Sequence, residues 1–468
     1  MRTLAARLPS RWSELDRHLA LVLAVAFVLR ALTVLLLTLW NRAGLANGDT
    51  DGYWQLAQNL ADHGVFSRAG TPPLLPDAFR TPGYPAFLAL FHAIGLGWTA
   101  VGLVQSVLAC ISLALLVVLL QRWFDRKVVL AAAWLVAVDP ESVLYAATVA
   151  PATLITLLLL AAVAVAALVR RGWAGLVAGA LSGLAALVKP MALYFPVWLA
   201  GLCFLWAKGK RGLAQALLVL VAATAVVLPW FARNQRVYGV WRFTSIQGFN
   251  LLYYNAAALE SAERGLPVSV AQDSLAAELE RRTPGFAGLN ELQKARAMEQ
   301  LAVRRILSHP ARYALLHLRG VPTSLLDPGR IDWARVLRLP NPSRGFFDIL
   351  SISSFGSLLL FLERLPWVQV TVLALYGVFL LAVAGLFLVG VWTLAGGGNL
   401  LSHAQRVVGW LWLVGPLLYL WLIIGPIGGA RFRVPMWPYV AGVAAVGLWA
   451  LGRAGLVPFG RKGRREAK

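Results

Sequence analysis

"LALVLAVAFVLRALTVLLLTLW", residues 19–40, is apolar almost throughout. As a helix rising about 1.5 Å per residue it is some 33 Å long, enough for a hydrocarbon core roughly 30 Å thick. It is also too long for a cleaved secretion signal, so the basic start (Arg2, Arg7, Arg11, Arg17) reads as the flank of a retained anchor. Runs of the same kind recur along the chain, rich in Leu, Ala, Val and Gly and without strict alternation of apolar and polar residues. That pattern excludes a β-barrel. With 59% apolar and only 14% charged residues, an ordinary soluble protein is excluded as well. The reading is an all-α polytopic membrane protein.

The net charge of +22 would suggest nucleic acid in a soluble chain. Here the cations cluster in short loops between apolar runs, as the positive-inside rule requires. "RWFDRK" (122–127), "RRGW" (170–173), "KGKRG" (208–212) and the tail "GRKGRREAK" therefore face the cytoplasm. Spans are predicted at about 19–40, 98–121, 128–138, 143–169, 173–188, 190–207, 212–231, 367–395, 405–425 and 433–452. Borderline segments at about 311–326 and 346–365 cross together or not at all, giving ten or twelve spans. The piece at about 84–96 is too short to cross and reads as interfacial or re-entrant.

The chain divides accordingly: a cytoplasmic N-terminus (1–18), a catalytic membrane module (19–231) with a first external loop (41–97), an extracytoplasmic region (232–366), C-terminal spans (367–452) and a cytoplasmic tail (453–468). Stretches 271–282 and 290–308 have the apolar period of amphipathic helices, with Leu292, Ala295, Leu301 and Ile306 among the apolar positions. Cys110 and Cys203 lie in apolar runs and imply no disulfide.

The first span is followed by "NGDTDGYWQLAQNL" (47–60), which puts Asp49 and Asp51 at a membrane edge. Polar residues that are not cytoplasmic anchors gather on that outer side: Asp49, Asp51, Arg80, Asp139, Glu141, Lys189, Arg233, Asn234, Arg431 and Arg433. Cations at membrane depth suit a lipid phosphate. A phosphate about 4 Å from one lysine gains roughly 4 kcal/mol at an effective dielectric of about 20. An aspartate beside it could take the proton of an attacking hydroxyl, typically worth about 10²–10⁴ in rate. A sugar leaving from phosphate needs no second acid, because the phosphate carries the developing charge. The bland alternatives are that Asp49 and Asp51 cap the helix starting near Gly52 and that the cations snorkel to the interface. Asp139 and Glu141 read most simply as a solvated turn. In "FRTPGYPAFL", Pro82 and Pro85 interrupt a regular helix and Gly83 allows unusual backbone angles, so this segment is expected to pack against the Asp49 loop and form a cavity.

The order of motifs carries a resemblance. D-x-x-x-Y (Asp49 to Tyr53) is followed by "RTPGYPAFLAL" (80–90), "LVKPMAL" (187–193), "LPWFARNQRVYG" (228–239), "SIQGFNLLYYN" (245–255) and "GGARFRVP" (428–435). This resembles the GT-C superfamily of polyprenyl-phosphate-sugar-dependent glycosyltransferases, in its protein O-mannosyltransferase-like and aminoarabinose-transferase-like branch. The resemblance implies an inverting hexosyl or pentosyl transferase in a bacterial inner membrane, with its active site facing the periplasm or exterior. It implies a polyprenyl-phosphate-linked sugar donor and a lipid, glycan or protein acceptor. Asp49 and, second, Asp51 match the catalytic acid. Lys189, Arg233, Arg431 and Arg433 match the donor-phosphate cations, and Tyr53, Arg80, Tyr84, Asn234 and Asn250 would line the substrate cavity. No cofactor is certain; some members use a divalent metal ion (Mg or Mn), for which no ligand set is assigned. In one departure, Pro151 and Ala152 stand in "TVAPATLITL" where many relatives carry Ser-Glu or Thr-Glu, so Asp139 or Glu141 is the possible second acid. The rival reading is a lipid-carrier or solute transporter using the same cationic cavity without chemistry.

Overall fold

The computed structural model describes residues 11–339, 365–426 and 428–458. In chain order the helices are α1 (Arg11–Trp40), α2 (Thr50–His63), α3 (Gly83–Ala93), α4 (Trp98–Gln121), α5 (Arg126–Val138), α6 (Pro140–Ala147) and α7 (Ala152–Leu168). Then come α8 (Ala174–Val188), α9 (Phe195–Ala207), α10 (Gly209–Tyr238), α11 (Ile246–Asn250), α12 (Ala257–Arg264), α13 (Val268–Arg282), α14 (Glu291–Ser308), α15 (Pro310–Leu326) and α16 (Arg330–Val336). The last are α17 (Trp367–Leu394), α18 (His403–Val408), α19 (Gly415–Ile424), α20 (Ala430–Arg433) and α21 (Trp437–Arg453). There is no strand among the described residues. The all-α membrane architecture expected from the sequence is what is found.

Among the described residues six helical stretches have the length and apolarity to cross a bilayer: Arg17–Trp40, Trp98–Gln121, Pro190–Ala207, Gly209–Tyr238, Trp367–Leu394 and His403–Ile424. A seventh is possible if α5 and α6, bent by 53° at Asp139, form one span. The difference from the expected ten or twelve lies in shorter elements. Helices α7 and α8 are apolar but only 17 and 15 residues long. The stretch expected as one span over 143–169 is instead α6 and α7, separated by a break that ends at Pro151. Helix α15 covers the borderline segment 311–326 and is not among the span-like helices, and the segment 346–365 lies, except for Leu365, outside the described residues.

Two close packings organise the bundle. In α8, Gly175, Gly179 and Gly183 recur every four residues and form a stripe against α10. A Cβ on Gly179 would lie 2.3 Å from the Val219 carbonyl oxygen. Membrane helices lack a hydrophobic drive to associate, so small residues that let backbones meet matter here. In α17 and α21, added Cβ atoms on Gly390 and Gly447 would each come within 2.0 Å of a carbonyl oxygen on the partner helix.

The α5–α6 break is built, not accidental. Arg30 of α1 is buried and donates to the carbonyls of Val136 and Ala137, which the bend leaves without helical partners. Asp139 caps α6 through the Ser142 amide, and Pro140 takes the first helical position, where a missing N–H costs nothing. Helices α2 and α3 pack on each other, and Leu56, Tyr84 and Leu88 join the main core of the bundle. The predicted amphipathic stretches are α13 and α14. With residues 251–257 they enclose a small separate core of Leu252, Ala256, Leu275, Leu279 and Leu301.

Gly179→Leu should push α8 and α10 apart and lower the thermal midpoint in detergent, at the upper end of the about 1–3 kcal/mol typical of overpacking. Gly385→Ala in α17 meets nothing within 4 Å and should be neutral or slightly stabilising. Equal midpoints for the two variants would contradict the packing argument.

Candidate functional site

Asp49 stands at the N-cap position of α2, yet its side chain makes no capping hydrogen bond. Asn47 does the local work instead: its Oδ1 accepts from the Asp49 amide at 3.0 Å and from the Thr50 hydroxyl at 3.2 Å. The loop is pinned from behind, with the Val149 amide on Leu45 O and the Thr50 hydroxyl on Val149 O. The Asp49 carboxylate is thereby left to other partners. Its Oδ1 accepts from Arg80 Nη2 at 2.5 Å, and its Oδ2 faces Arg431 Nη1 at 3.5 Å.

Arg80 is aimed by its own turn. Asp77 is buried, its Oδ1 accepts from the Phe79 and Arg80 amides, and its other oxygen pairs with Arg68. Glu291 adds a second clamp by accepting the Ala78 amide at 2.8 Å. The Arg80 guanidinium lies between the rings of Tyr53, 4.7 Å away, and Phe79, 5.0 Å away. Helix α3 then begins at Gly83, with Pro85 in the first turn where no N–H is needed. A Cβ on Gly83 would come within 2.7 Å of the Leu187 carbonyl, so the start of α3 presses on the last turn of α8. The next residue after α8 is Lys189. The expectation that "FRTPGYPAFL" packs against the Asp49 loop is met by Arg80 on Asp49 and by Tyr84 edge-on to Tyr53, with ring centroids 5.2 Å apart.

Lys189 and Arg431 share one ring: Lys189 Nζ is 5.3 Å and the Arg431 guanidinium 4.9 Å from the centroid of Phe432. The structure thus brings together Asp49, Arg80, Lys189 and Arg431, from four separate parts of the sequence. One carboxylate faces three cations. Burial, then the charge of Arg431, push Lys189 down to about 8, with Asp49 pulling the other way. For Asp49, burial acts upward, but Arg80 and Arg431 prevail and hold it below the usual carboxylate range.

Other predicted residues are placed elsewhere. Asp51 is exposed and makes no hydrogen bond or ion pair among the described residues. Arg233 donates to the Asp77 carbonyl and to Asn234 Oδ1, and packs on Phe66, Trp230 and Tyr238. Helix α10 continues through Pro229 to Tyr238, beyond the expected end at 231, and this sets the orientation of Arg233 and Asn234. Asn234 is buried and donates to Arg242 O and Phe243 O. Arg433 is fully buried against the carbonyls of Ser324, Leu325 and Asp327 and the Tyr376 hydroxyl. These three are engaged in ties within the fold. Tyr84 is fully buried with its hydroxyl on Gln105, Tyr53 is buried under Arg80, and Asn250 is exposed at the end of α11.

The turn at Asp139 and Glu141 is buried, not solvated. Asp139 caps α6 and accepts from Tyr376 at 2.7 Å, so it has no free oxygen to act as a second acid. Glu141 is wholly buried, and neither of its oxygens has a hydrogen-bond partner among the described residues. Sequence reading missed Asp77, Glu291 and Arg30. A hint for Asp77 lies in "DAFR", where an aspartate two residues before a bulky side chain favours an Asx-type turn.

A divalent ion does not fit this donor set. Asp49 is already paired with Arg80 and crowded by two more cations. Among the described residues no three His, Cys, Asp or Glu side chains converge.

Residues 79–232 match the family model of dolichyl-phosphate-mannose-protein mannosyltransferases, a segment that contains Arg80 and Lys189. In fold the chain is similar to the Archaeoglobus fulgidus oligosaccharyltransferase AglB in complex with an inhibitory peptide and a dolichol-phosphate. The TM-score is 0.53 at 15% identity, over 97% of this chain and 53% of that one. It is likewise similar to the apo form of an Archaeoglobus fulgidus oligosaccharyltransferase, with TM-score 0.51 at 16% identity, over 94% of this chain and 51% of the other. The chain spans about half the length of these solved structures. No curated protein matches it in sequence. The resemblance to GT-C enzymes read from the motifs is borne out by the family match and the shared fold.

The mixed charge site has a direct test. In the reductively methylated full chain, the Lys189 methyl resonance, assigned with Lys189→Arg, should titrate near 8. Arg431→Ala removes a like charge and should raise the midpoint. Asp49→Asn removes an opposite charge and should lower it. A midpoint in the ordinary lysine range, unmoved by either change, would contradict the described cluster.

Proposed function

We propose that this chain is an integral-membrane glycosyltransferase that moves a sugar from a polyprenyl-phosphate carrier to an acceptor hydroxyl on the extracytoplasmic face, with inversion at the anomeric carbon. The observation that carries the reading is the Asp49 carboxylate gathered with Arg80, Lys189 and Arg431 in one charged cluster. The family match and the shared fold support it.

The chemistry follows from charge. The acceptor oxygen attacks the anomeric carbon as the bond from that carbon to the phosphate oxygen breaks. The electron pair leaves on the phosphate, which passes from a singly charged diester to a monoester with up to two negative charges. Three nearby cations therefore stabilise the departing phosphate more than the bound donor, and only such differential interactions accelerate the step. Asp49 Oδ1 is held by Arg80 at 2.5 Å, whereas Oδ2 has only the longer 3.5 Å contact with Arg431 and is the oxygen that accepts the acceptor's hydroxyl proton. Its lowered pKa keeps it ionised at neutral pH but makes it a weak base. Its larger service is to orient the hydroxyl, with proton transfer late in the step.

An apolar groove supports the binding of a lipid tail. It has a volume of about 520 Å³ and runs between α9 and α19, lined by Tyr194, Val197, Trp198, Leu205, Tyr419 and Leu422. The Tyr419 hydroxyl donates to Met191 O, two residues beyond Lys189, which ties the groove to the cationic turn. A prenyl chain in this groove would leave its phosphate next to Lys189. A periplasmic orientation in a bacterial inner membrane accords with the basic cytoplasmic loops. The transporter alternative gains nothing from the family match.

Asp49→Asn should lower turnover at least about 10²-fold while changing affinity for polyprenyl phosphate less than about threefold. Lys189→Ala and Arg431→Ala should instead weaken that affinity, each by about tenfold. EDTA should leave turnover unchanged. Full turnover in Asp49→Asn, or activity restored only by added Mg or Mn, would overturn this mechanism.

A further inference from the structure

The segment that follows α15 touches both halves of the site. The Asp327 carboxylate bridges two backbone amides, accepting from Gly329 at 3.0 Å and from Ala430 at 3.1 Å. Ala430 is the residue before Arg431. Eight residues further along, Arg335 donates to the carbonyls of Gly44 and Ala46, which lie just before Asp49. The contact is reciprocal, since Asn41 Nδ2 donates to Arg335 O at 3.0 Å and to Val336 O at 2.8 Å. Between these two ties, Asp332 accepts from Arg335 at 3.1 Å and from the Tyr145 hydroxyl at 3.3 Å, fixing α16 to α6. Gly329 has a positive φ of 71°, and a Cβ there would lie 2.6 Å from Glu141 Oε2 and 3.4 Å from Ala430 Cβ. The loop is thus wedged between a buried acid and the strand of chain bearing Arg431.

We infer that residues 327–336 act as a clasp in which Asp327 positions Arg431 and Arg335 positions Asp49, so that donor grip and acceptor orientation depend on two separable ties. The inference rests on the proposed transferase reading for its functional consequence, while its geometric content stands apart from it. Neither residue is a catalytic residue; each acts through a group it holds. Both ties end on backbone, so they set where a main-chain segment lies and leave the side chains of the site untouched. An asparagine at 327 could accept only one of the two amides and would turn an N–H toward the other. Loss of Arg335 would free two carbonyls in the loop that leads into Asp49.

The test uses the full chain in lipid nanodiscs and reads the Lys189 methyl titration, because Lys189 faces Arg431, Asp49 and Arg80. Asp327→Asn should let Arg431 drift from Lys189 and raise the midpoint. Arg335→Ala should let Asp49 drift and lower it. Opposite directions from two variants of one segment are not what general destabilisation produces. Gly329→Ala, which spreads the same wedge without removing a charge, should follow Asp327→Asn if that variant folds poorly. In parallel, binding of polyprenyl monophosphate should weaken about tenfold in Asp327→Asn and little in Arg335→Ala. Titrations of folded variants that coincide with wild type would overturn the clasp. A wild-type chain that does not bind polyprenyl monophosphate would overturn the transferase reading, with the titration still judging the clasp.

Discussion

At one end of the bundle the Asp49 carboxylate meets Arg80 at 2.5 Å and Arg431 at 3.5 Å, with Lys189 stacked on the same ring as Arg431. Like charges gathered in a partly dehydrated place are costly, and one carboxylate offsets only part of that cost. Burial and the charge of Arg431 accordingly push Lys189 down to about 8. The role we propose for this imbalance is to receive an anion. The surrounding structure exists to keep the cations together: the Asp77 turn aims Arg80, the α3–α8 contact at Gly83 brings Lys189 alongside, and Asp327 fixes the chain before Arg431.

Much of this was legible in the sequence. Helical membrane architecture followed from run length and composition, and Asp49, Arg80, Lys189 and Arg431 were legible as polar residues on the outer side. Paired residues were harder to separate. Arg431 and Arg433 lie in one helical turn, and residues two apart on a helix point about 200° from each other. Arg431 accordingly reaches the site, half exposed, while Arg433 is buried among carbonyls on the opposite side. The same holds for Arg233 and Asn234, whose orientation was set by α10 running on through Pro229. Proline in a helix is tolerated in a membrane bundle where neighbours satisfy the freed groups, and no local rule reveals when that happens.

The Asp139 turn illustrates a different limit. An Asp-Pro pair correctly marks a helix start, and Asp139 does cap α6. Sequence gives no sign that the turn is buried inside the bundle, tied to Tyr376 and Arg433 and served by Arg30 from α1. Those partners lie far away along the chain. Asp327 and Arg335, which hold distant backbone in place, were invisible for the same reason: their meaning lies in what another segment needs.

The most direct measurement of the central claim is a cryo-EM structure of the full chain in lipid with polyprenyl monophosphate bound. The account predicts phosphate density within about 4 Å of at least two of Arg80, Lys189 and Arg431, with the prenyl chain leaving toward Tyr194 and Trp198. A phosphate held at Arg233, or anywhere remote from Asp49, would contradict it.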